Sequence, residues 1–93
     1  MNYNLELRLR IEDVSVGREI RRELSRKITL PFIPRENMGL HLHDDLRVYI
    51  RAIDYRIPTD DFVVYCQEIS PDVDVAASKY LGKGWKVVGR SKL

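Results

Sequence analysis

The amino-acid sequence predicts a small α+β domain: a mostly antiparallel sheet of about five strands, with one or two helices on one face. Three observations predict this fold. Residues 46–69 hold two runs rich in β-branched and aromatic residues, separated by a polar turn at residues 58–61, as in an antiparallel hairpin. Residues 5–11 alternate between apolar and charged side chains, and residues 70–81 have the spacing of a helix packed on a sheet. A small half-open β-barrel is the alternative architecture.

Length and composition bound the class of protein. The 93 residues, 44% of them hydrophobic and 32% charged, suit one globular domain spanning residues 1–93, with residues 90–93 expected to fray. The single cysteine, Cys66, lies inside an apolar run, so we interpret it as a small buried hydrophobe rather than a reactive thiol. No run approaches the ~20 apolar residues of a membrane helix, and the N-terminus does not have a signal-peptide pattern. We therefore expect a soluble, cytoplasmic protein.

The first element is the clearest strand. Leu5, Leu7, Leu9 and Ile11 alternate with charged residues, which predicts one face in the core and one in water.

Residues 17–27 fit two structures. Ile20, Leu24 and Ile28 are four residues apart, and Glu and Arg residues at spacings of three and four favour an exposed helix. The same apolar positions are all even-numbered, so a long strand that pairs back on residues 3–12 also fits. Helix is the prediction, and strand is the alternative.

The next segments predict extended structure. In residues 28–32 and 38–43 every second side chain is apolar, and prolines at 31 and 34 interrupt pairing between the two segments. In residues 46–57 the apolar alternation changes phase near Ala52–Ile53, which predicts a β-bulge or a change of packing surface. Residues 62–66 are apolar throughout, which predicts a central strand covered on both faces.

Residues 71–81 are the best helix prediction. Ser70 is a suitable N-cap, Pro71 suits the first turn and Gly82 suits a left-handed C-terminal cap. The expected buried stripe consists of Val73, Ala76, Ala77, Tyr80 and Leu81. Residues 84–88 form the expected last strand, with Trp85 in the core. This element order resembles a ferredoxin-like βαββαβ plait with an inserted strand, in order only and without functional implication.

One cluster has metal-ligand chemistry. His41 and His43 would point to the same face of a regular strand, and Asp44 or Asp45 follows, a set similar to the ligands of zinc or iron. Two histidines on the solvent-exposed face of a strand explain the same pattern. We therefore predict that no metal and no cofactor is bound.

Catalytic motifs are absent from the sequence. It contains no G-x-S-x-G elbow, no P-loop and no dinucleotide-binding glycine pattern. We therefore predict that the protein is not an enzyme. No motif in the sequence identifies a family.

Charge is divided along the chain. Residues 35–74 carry four basic and nine acidic side chains, whereas residues 75–93 carry five basic and no acidic ones. This division favours a non-catalytic protein-interaction or structural module that docks on a charged protein partner or self-associates. The alternative is nucleic-acid binding by the first helix and the basic C-terminus. The residues of that alternative site are Arg18, Arg21, Arg22, Lys83, Trp85, Lys86 and Arg90.

Overall fold

The structure is a computed structural model that describes residues 2–13, 20–43 and 46–88. Within these ranges the chain forms six strands and one helix. In chain order they are β1 (Tyr3–Asp13), β2 (Ile20–Leu30), β3 (Gly39–His43), β4 (Leu46–Arg56), β5 (Asp61–Ile69), α1 (Val73–Leu81) and β6 (Lys86–Val87). The predicted fraying of residues 90–93 lies outside the described residues.

The strands form one curled sheet, a half-barrel, in the order β3-β4-β5-β1-β2-β6. Four neighbouring pairs are antiparallel, and β1 with β5 is parallel. The predicted α+β class is confirmed, and the half-open barrel named as the alternative also fits this sheet. The parallel pair arises because the β4–β5 hairpin docks along β1, which already pairs with β2 on its other side.

The helix prediction for residues 17–27 is wrong where the structure describes them, because residues 20–27 belong to β2. This strand pairs with β1 without interruption from Tyr3↔Leu30 to Asp13↔Ile20. A spacing of four is compatible with both a helix and a strand, since it is also a multiple of two. Pairing places Leu24 opposite Leu9, and both are buried. This burial outweighs the modest helix propensity of the segment, and without a first helix the ferredoxin-like order does not hold.

The hairpin and its bulge are confirmed. Ile50 pairs with Cys66, but Ala52 pairs with Tyr65, so β4 has one extra residue, Arg51. The bulge lets Ile50 and the later residues of β4 keep their apolar side chains on the core face despite the phase change.

The central position of β5 is confirmed, but its coverage is less complete than predicted. Val63 and Val64 lie on opposite faces and are both buried, whereas Tyr65 is 40% exposed. One face of β5 is therefore open to solvent beyond Val63.

The predicted helix is confirmed as α1, although its caps differ from the prediction. Asp72, not Ser70, is the N-cap, and its side chain accepts a hydrogen bond of 3.1 Å from the backbone N–H of Val75. Gly82 has φ −81° and is not left-handed, whereas Gly84 has φ 92°. The left-handed residue therefore lies two positions later than the sequence predicts.

The helix packs on β1 and β2 through most of the predicted stripe. The buried residues are Val73, Ala76, Ala77 and Tyr80, while Leu81 is exposed. Trp85 is buried as predicted, and its ring meets that of Tyr80 edge-on with centroids 5.5 Å apart. The last strand is shorter than predicted, because β6 pairs with β2 only at Leu24↔Val87 and Ser25↔Lys86.

The core lies between α1 and the sheet face that carries Leu5, Leu7, Leu9 and Ile11. We call this face the inner face and the opposite one the outer face. In the ranges that the structure describes, no helix has the length and apolarity needed to cross a membrane.

Candidate functional site

The outer face of the sheet brings together residues that are distant in sequence. Because β1 and β5 are parallel neighbours, Arg8 lies beside Tyr65 and Arg10 beside Gln67. On its other side Arg8 pairs with Ser25 of β2. Side chains at paired positions share a face of the sheet, so these residues form a continuous polar surface.

A groove runs over this surface. Its volume is about 310 Å³, and it is lined by Arg8, Leu9, Arg10, Glu23, Arg51, Tyr65, Cys66 and Gln67. We call it the arginine groove. Three guanidinium groups and a tyrosine ring are thus close to one another on an open part of the outer face.

The bulge in β4 contributes one of these groups. Arg51 is the residue without a register partner between Ile50 and Ala52, and it lines the groove next to Tyr65. Bulges often re-aim a side chain toward a site. The bulge that we predicted from the phase change in the sequence therefore places Arg51 at the groove.

The three arginines differ in their ion pairs. Arg10 lies 3.5 Å from Glu12 and 3.6 Å from Glu23, and its side chain is 48% exposed. Such long and exposed pairs contribute about 0–1 kcal/mol each. Among the described residues, no carboxylate pairs with Arg51. The groove therefore holds positive charge that is weakly compensated.

Arg8, by contrast, belongs to a tighter network below the groove. The Glu6 carboxylate accepts hydrogen bonds from Arg8 Nε at 2.8 Å and from Ser25 Oγ at 3.0 Å, and Arg56 lies 2.9 Å from it. Burial opposes ionisation of Glu6, but these donors and charges outweigh burial, so the pKa of Glu6 is lowered. Only one nitrogen of Arg8 is engaged in this network, and the rest of its guanidinium is available at the groove.

Arg56 extends the network to the β4–β5 turn. Its Nε donates to Asp61 Oδ1 at 2.9 Å. The hydrogen bond from Arg56, supported by one from Thr59, lowers the pKa of Asp61 to about 2. These contacts fix the turn and one end of the outer face, so we assign this network to stability.

Tyr65 differs from the other exposed tyrosine of the outer face. The ring of Tyr49 is covered by the guanidinium of Arg47, 4.4 Å from its centroid. Among the described residues, no aromatic ring or cation packs on Tyr65. Its exposed ring can therefore stack on a planar ligand.

Cys66 lies beneath the groove, and its thiol is held in the unreactive protonated form. Its side chain is buried, and burial raises the pKa of the thiol to about 12. The interpretation as a small buried hydrophobe is therefore confirmed.

The sequence-predicted metal candidates are only partly described. His41 lies on the exposed edge strand opposite Arg47, and the register shifts between His41 and His43. The side chain of His43 lies outside the part of the chain that the structure describes, so its placement relative to His41 stays a prediction. Asp44 lies outside the described residues, and in the ranges that are described no three His, Cys, Asp or Glu side chains could hold a metal ion together.

The nucleic-acid residues predicted from the sequence do not share one surface where the structure describes them. Arg21 and Lys86 lie at outer-face positions, whereas Arg22 is at an inner-face position and pairs with Asp74 at 3.3 Å. Trp85 is buried and unavailable for stacking. Lys83 follows α1, outside the groove. Arg18 and Arg90 lie outside the described residues.

Sequence reasoning missed Arg8, Arg10, Arg51, Tyr65 and Gln67. The alternation in β1 places Arg8 and Arg10 on the outer face, but it indicates only contact with water. Their meeting with Tyr65 depends on the parallel pairing of β1 with β5, for which the sequence has no local signal.

Comparisons with known protein families, with curated proteins and with solved structures find no match to this chain.

Proposed function

We propose that this chain is a non-catalytic binding module whose anionic macromolecular partner docks on the arginine groove. The observation that supports this most is the meeting of three guanidinium groups in one open groove, with Arg51 unpaired among the described residues. Guanidinium groups bind phosphate and carboxylate oxygens through two parallel hydrogen bonds.

The distribution of acidic residues is consistent with this proposal. Much of the negative charge of the middle segment lies away from the groove. Asp60 and Asp61 lie at the β4–β5 turn, and Asp72 and Asp74 at the start of α1 on the other face. Glu23 is the one carboxylate among the described residues that lines the groove, and its contact with Arg10 is long enough for a ligand to replace it.

The lining also supports a non-catalytic role. Among the residues that the structure describes, it includes no histidine, serine or threonine, and the thiol of Cys66 is kept protonated by burial. The described lining therefore contains neither a Ser–His nor a Cys–His pair of nucleophile and base.

Two charge-removing variants test the proposal. Binding of inorganic polyphosphate and of polyglutamate is measured by calorimetry for the wild type and for the double variant Arg10→Gln/Arg51→Gln. The matched control is Arg35→Gln/Lys79→Gln, which removes two exposed charges outside the groove. We expect weaker binding only when the groove arginines are removed. An equal loss of affinity in both double variants, or no binding by the wild type, would contradict the proposal.

A second candidate is self-association through the edge of β3. Among the described strands, β3 has β4 as its single neighbour, so its other side presents unpaired backbone groups, which are a template for strand addition. Sedimentation velocity over a range of protein concentrations tests this candidate. A monomer at all concentrations would exclude it.

A further inference from the structure

We propose that the arginine groove binds single-stranded nucleic acid, with one nucleobase stacked on Tyr65 and phosphates held by Arg51 and Arg8. This inference rests on the proposed function, since it names the class of the anionic partner.

Tyr65 is the residue that selects a nucleic acid from other polyanions. Its ring is 40% exposed at the centre of the sheet, between a strand that contributes Arg8 and one that contributes the bulge with Arg51. A carboxylate-rich protein would satisfy the arginines but would leave this ring without a partner. An unpaired base offers a planar face to the ring while its phosphates meet the guanidinium groups.

The cationic and aromatic groups lie in one row across the sheet. Register pairs connect Lys86, Ser25, Arg8, Tyr65 and Ala52 on successive strands. With strands ~4.8 Å apart, this row is ~19 Å long. It has basic side chains near both ends, because Arg51 adjoins Ala52 at the bulge. A strand of nucleic acid that follows the row therefore meets positive charge on both sides of Tyr65.

Gln67 adds a group suited to base edges. It lies next to Arg10 in register and lines the groove. Its amide has both donors and an acceptor, which matches the mixed donor and acceptor pattern of a splayed base.

The shape of the surface favours a single strand over a duplex. Duplex DNA is read mainly by a helix or a two-stranded ribbon inserted into the major groove. Here the helix packs on the inner face, and its first turn is acidic at Asp74. The outer face is the surface of a sheet, on which unpaired bases can lie flat but a duplex cannot expose its bases.

The test compares ring, bulk and charge at the groove. Fluorescently labelled single-stranded RNA and DNA of about 12 nucleotides, within the ~4–16 nucleotide range of single-strand sites, are titrated with wild type, Tyr65→Leu, Tyr65→Phe and Arg51→Gln. Tyr65→Phe keeps the ring and is the matched control for Tyr65→Leu. A duplex of the same sequence and polyglutamate are the comparison ligands. Circular dichroism of each variant verifies that the sheet is retained.

The expected results separate the two proposals. Tyr65→Leu should weaken single-strand binding by about 5- to 150-fold, the range for loss of one base stack, and Tyr65→Phe should bind within about twofold of wild type because its ring still stacks. Arg51→Gln should lower the slope of log affinity against log salt by about 0.7, the value for one phosphate contact to a single strand.

Three results would overturn the inference. If single strands, the duplex and polyglutamate bind equally well and Tyr65→Leu has no effect, the proposed anion-binding function stands and the single-strand inference fails. If the duplex binds more tightly than the single strands, the inference also fails. If no ligand binds, both proposals fail.

Discussion

Arg8 and Tyr65 are register partners across the parallel β1–β5 pair and line the same groove on the outer face. They are 57 positions apart in the printed sequence, so only the docking of the second hairpin on β1 brings them together. The same docking connects the site to the core, because Leu7 and Val64, adjacent to these two residues, are register partners on the buried side. The groove is therefore built on the same strand pair that contributes Leu7 and Val64 to the core.

Trp85 is expected to contribute strongly to stability. It is 3% exposed and packs edge-on against Tyr80, whose hydroxyl donates to Glu68. Trp85→Ala should lower the free energy of unfolding by about 3–5 kcal/mol. Chemical denaturation measures this change. The control is Ile57→Ala, because Ile57 is 82% exposed and a surface change should cost within about 0.5 kcal/mol. Equal losses in the two variants would show that Trp85 is not a core residue.

The pH dependence of stability should report the network of Glu6, Arg56 and Asp61. The folded-state pKa of Asp61 is depressed to about 2, and that of Glu6 is also lowered. A depressed carboxyl pKa adds stability above its unfolded value of about 4, and this stability is lost as pH falls through the folded pKa. Thermal unfolding of the wild type should therefore shift to lower temperature between about pH 4 and pH 2.

Asp61→Asn isolates this effect. The variant should be less stable than wild type at neutral pH, and the difference should shrink as pH approaches 2, because the wild-type carboxylate is then protonated. Asp54→Asn is the control, since Asp54 is exposed on the outer face and makes no ion pair with any residue that the structure describes. If the difference in stability between wild type and Asp61→Asn stays constant with pH, the ion pair does not have the role described here.

The bulge at Arg51 predicts that two single-residue deletions in β4 differ in their effect on stability. Removing Arg51 leaves Ile50, Ala52 and Ile53 in regular alternation, with both isoleucines still facing the core. Deletion of Arg51 should therefore leave the protein folded while weakening the groove. Deletion of Tyr49 should move Leu46 and Val48 toward water, at about 1.5–3 kcal/mol for each side chain. Denaturant midpoints of the two deletion variants test this ranking. Similar midpoints would show that β4 does not hold the register described here.

Local patterns predicted much of the fold. The alternation of Leu5 to Ile11 and the phase change at Ala52 each depend on neighbours within a few residues, and both predictions are confirmed. The prediction for residues 20–27 failed because Ile20, Leu24 and Ile28 fit both periods, and pairing with β1 decided between them.

The candidate site was less accessible to sequence reasoning. The residues that the sequence predicts to bind nucleic acid are clustered along the chain, but Arg22 and Trp85 are directed away from the outer face by strand register and burial. The arginines of the groove come from β1 and the bulge of β4, separated by more than 40 positions in the printed sequence. A local pattern cannot show which strands become neighbours in a mixed sheet.

Amide chemical-shift mapping during titration with a short single-stranded RNA shows directly whether the arginine groove is the binding surface. We expect the largest changes at the backbone amides of Arg8, Arg51, Tyr65 and Gln67. We also expect little change along α1 or at Lys83, and loss of the pattern in Tyr65→Leu. Changes confined to α1 and Lys83, with the groove amides unmoved at saturation, would show that the groove does not bind single strands.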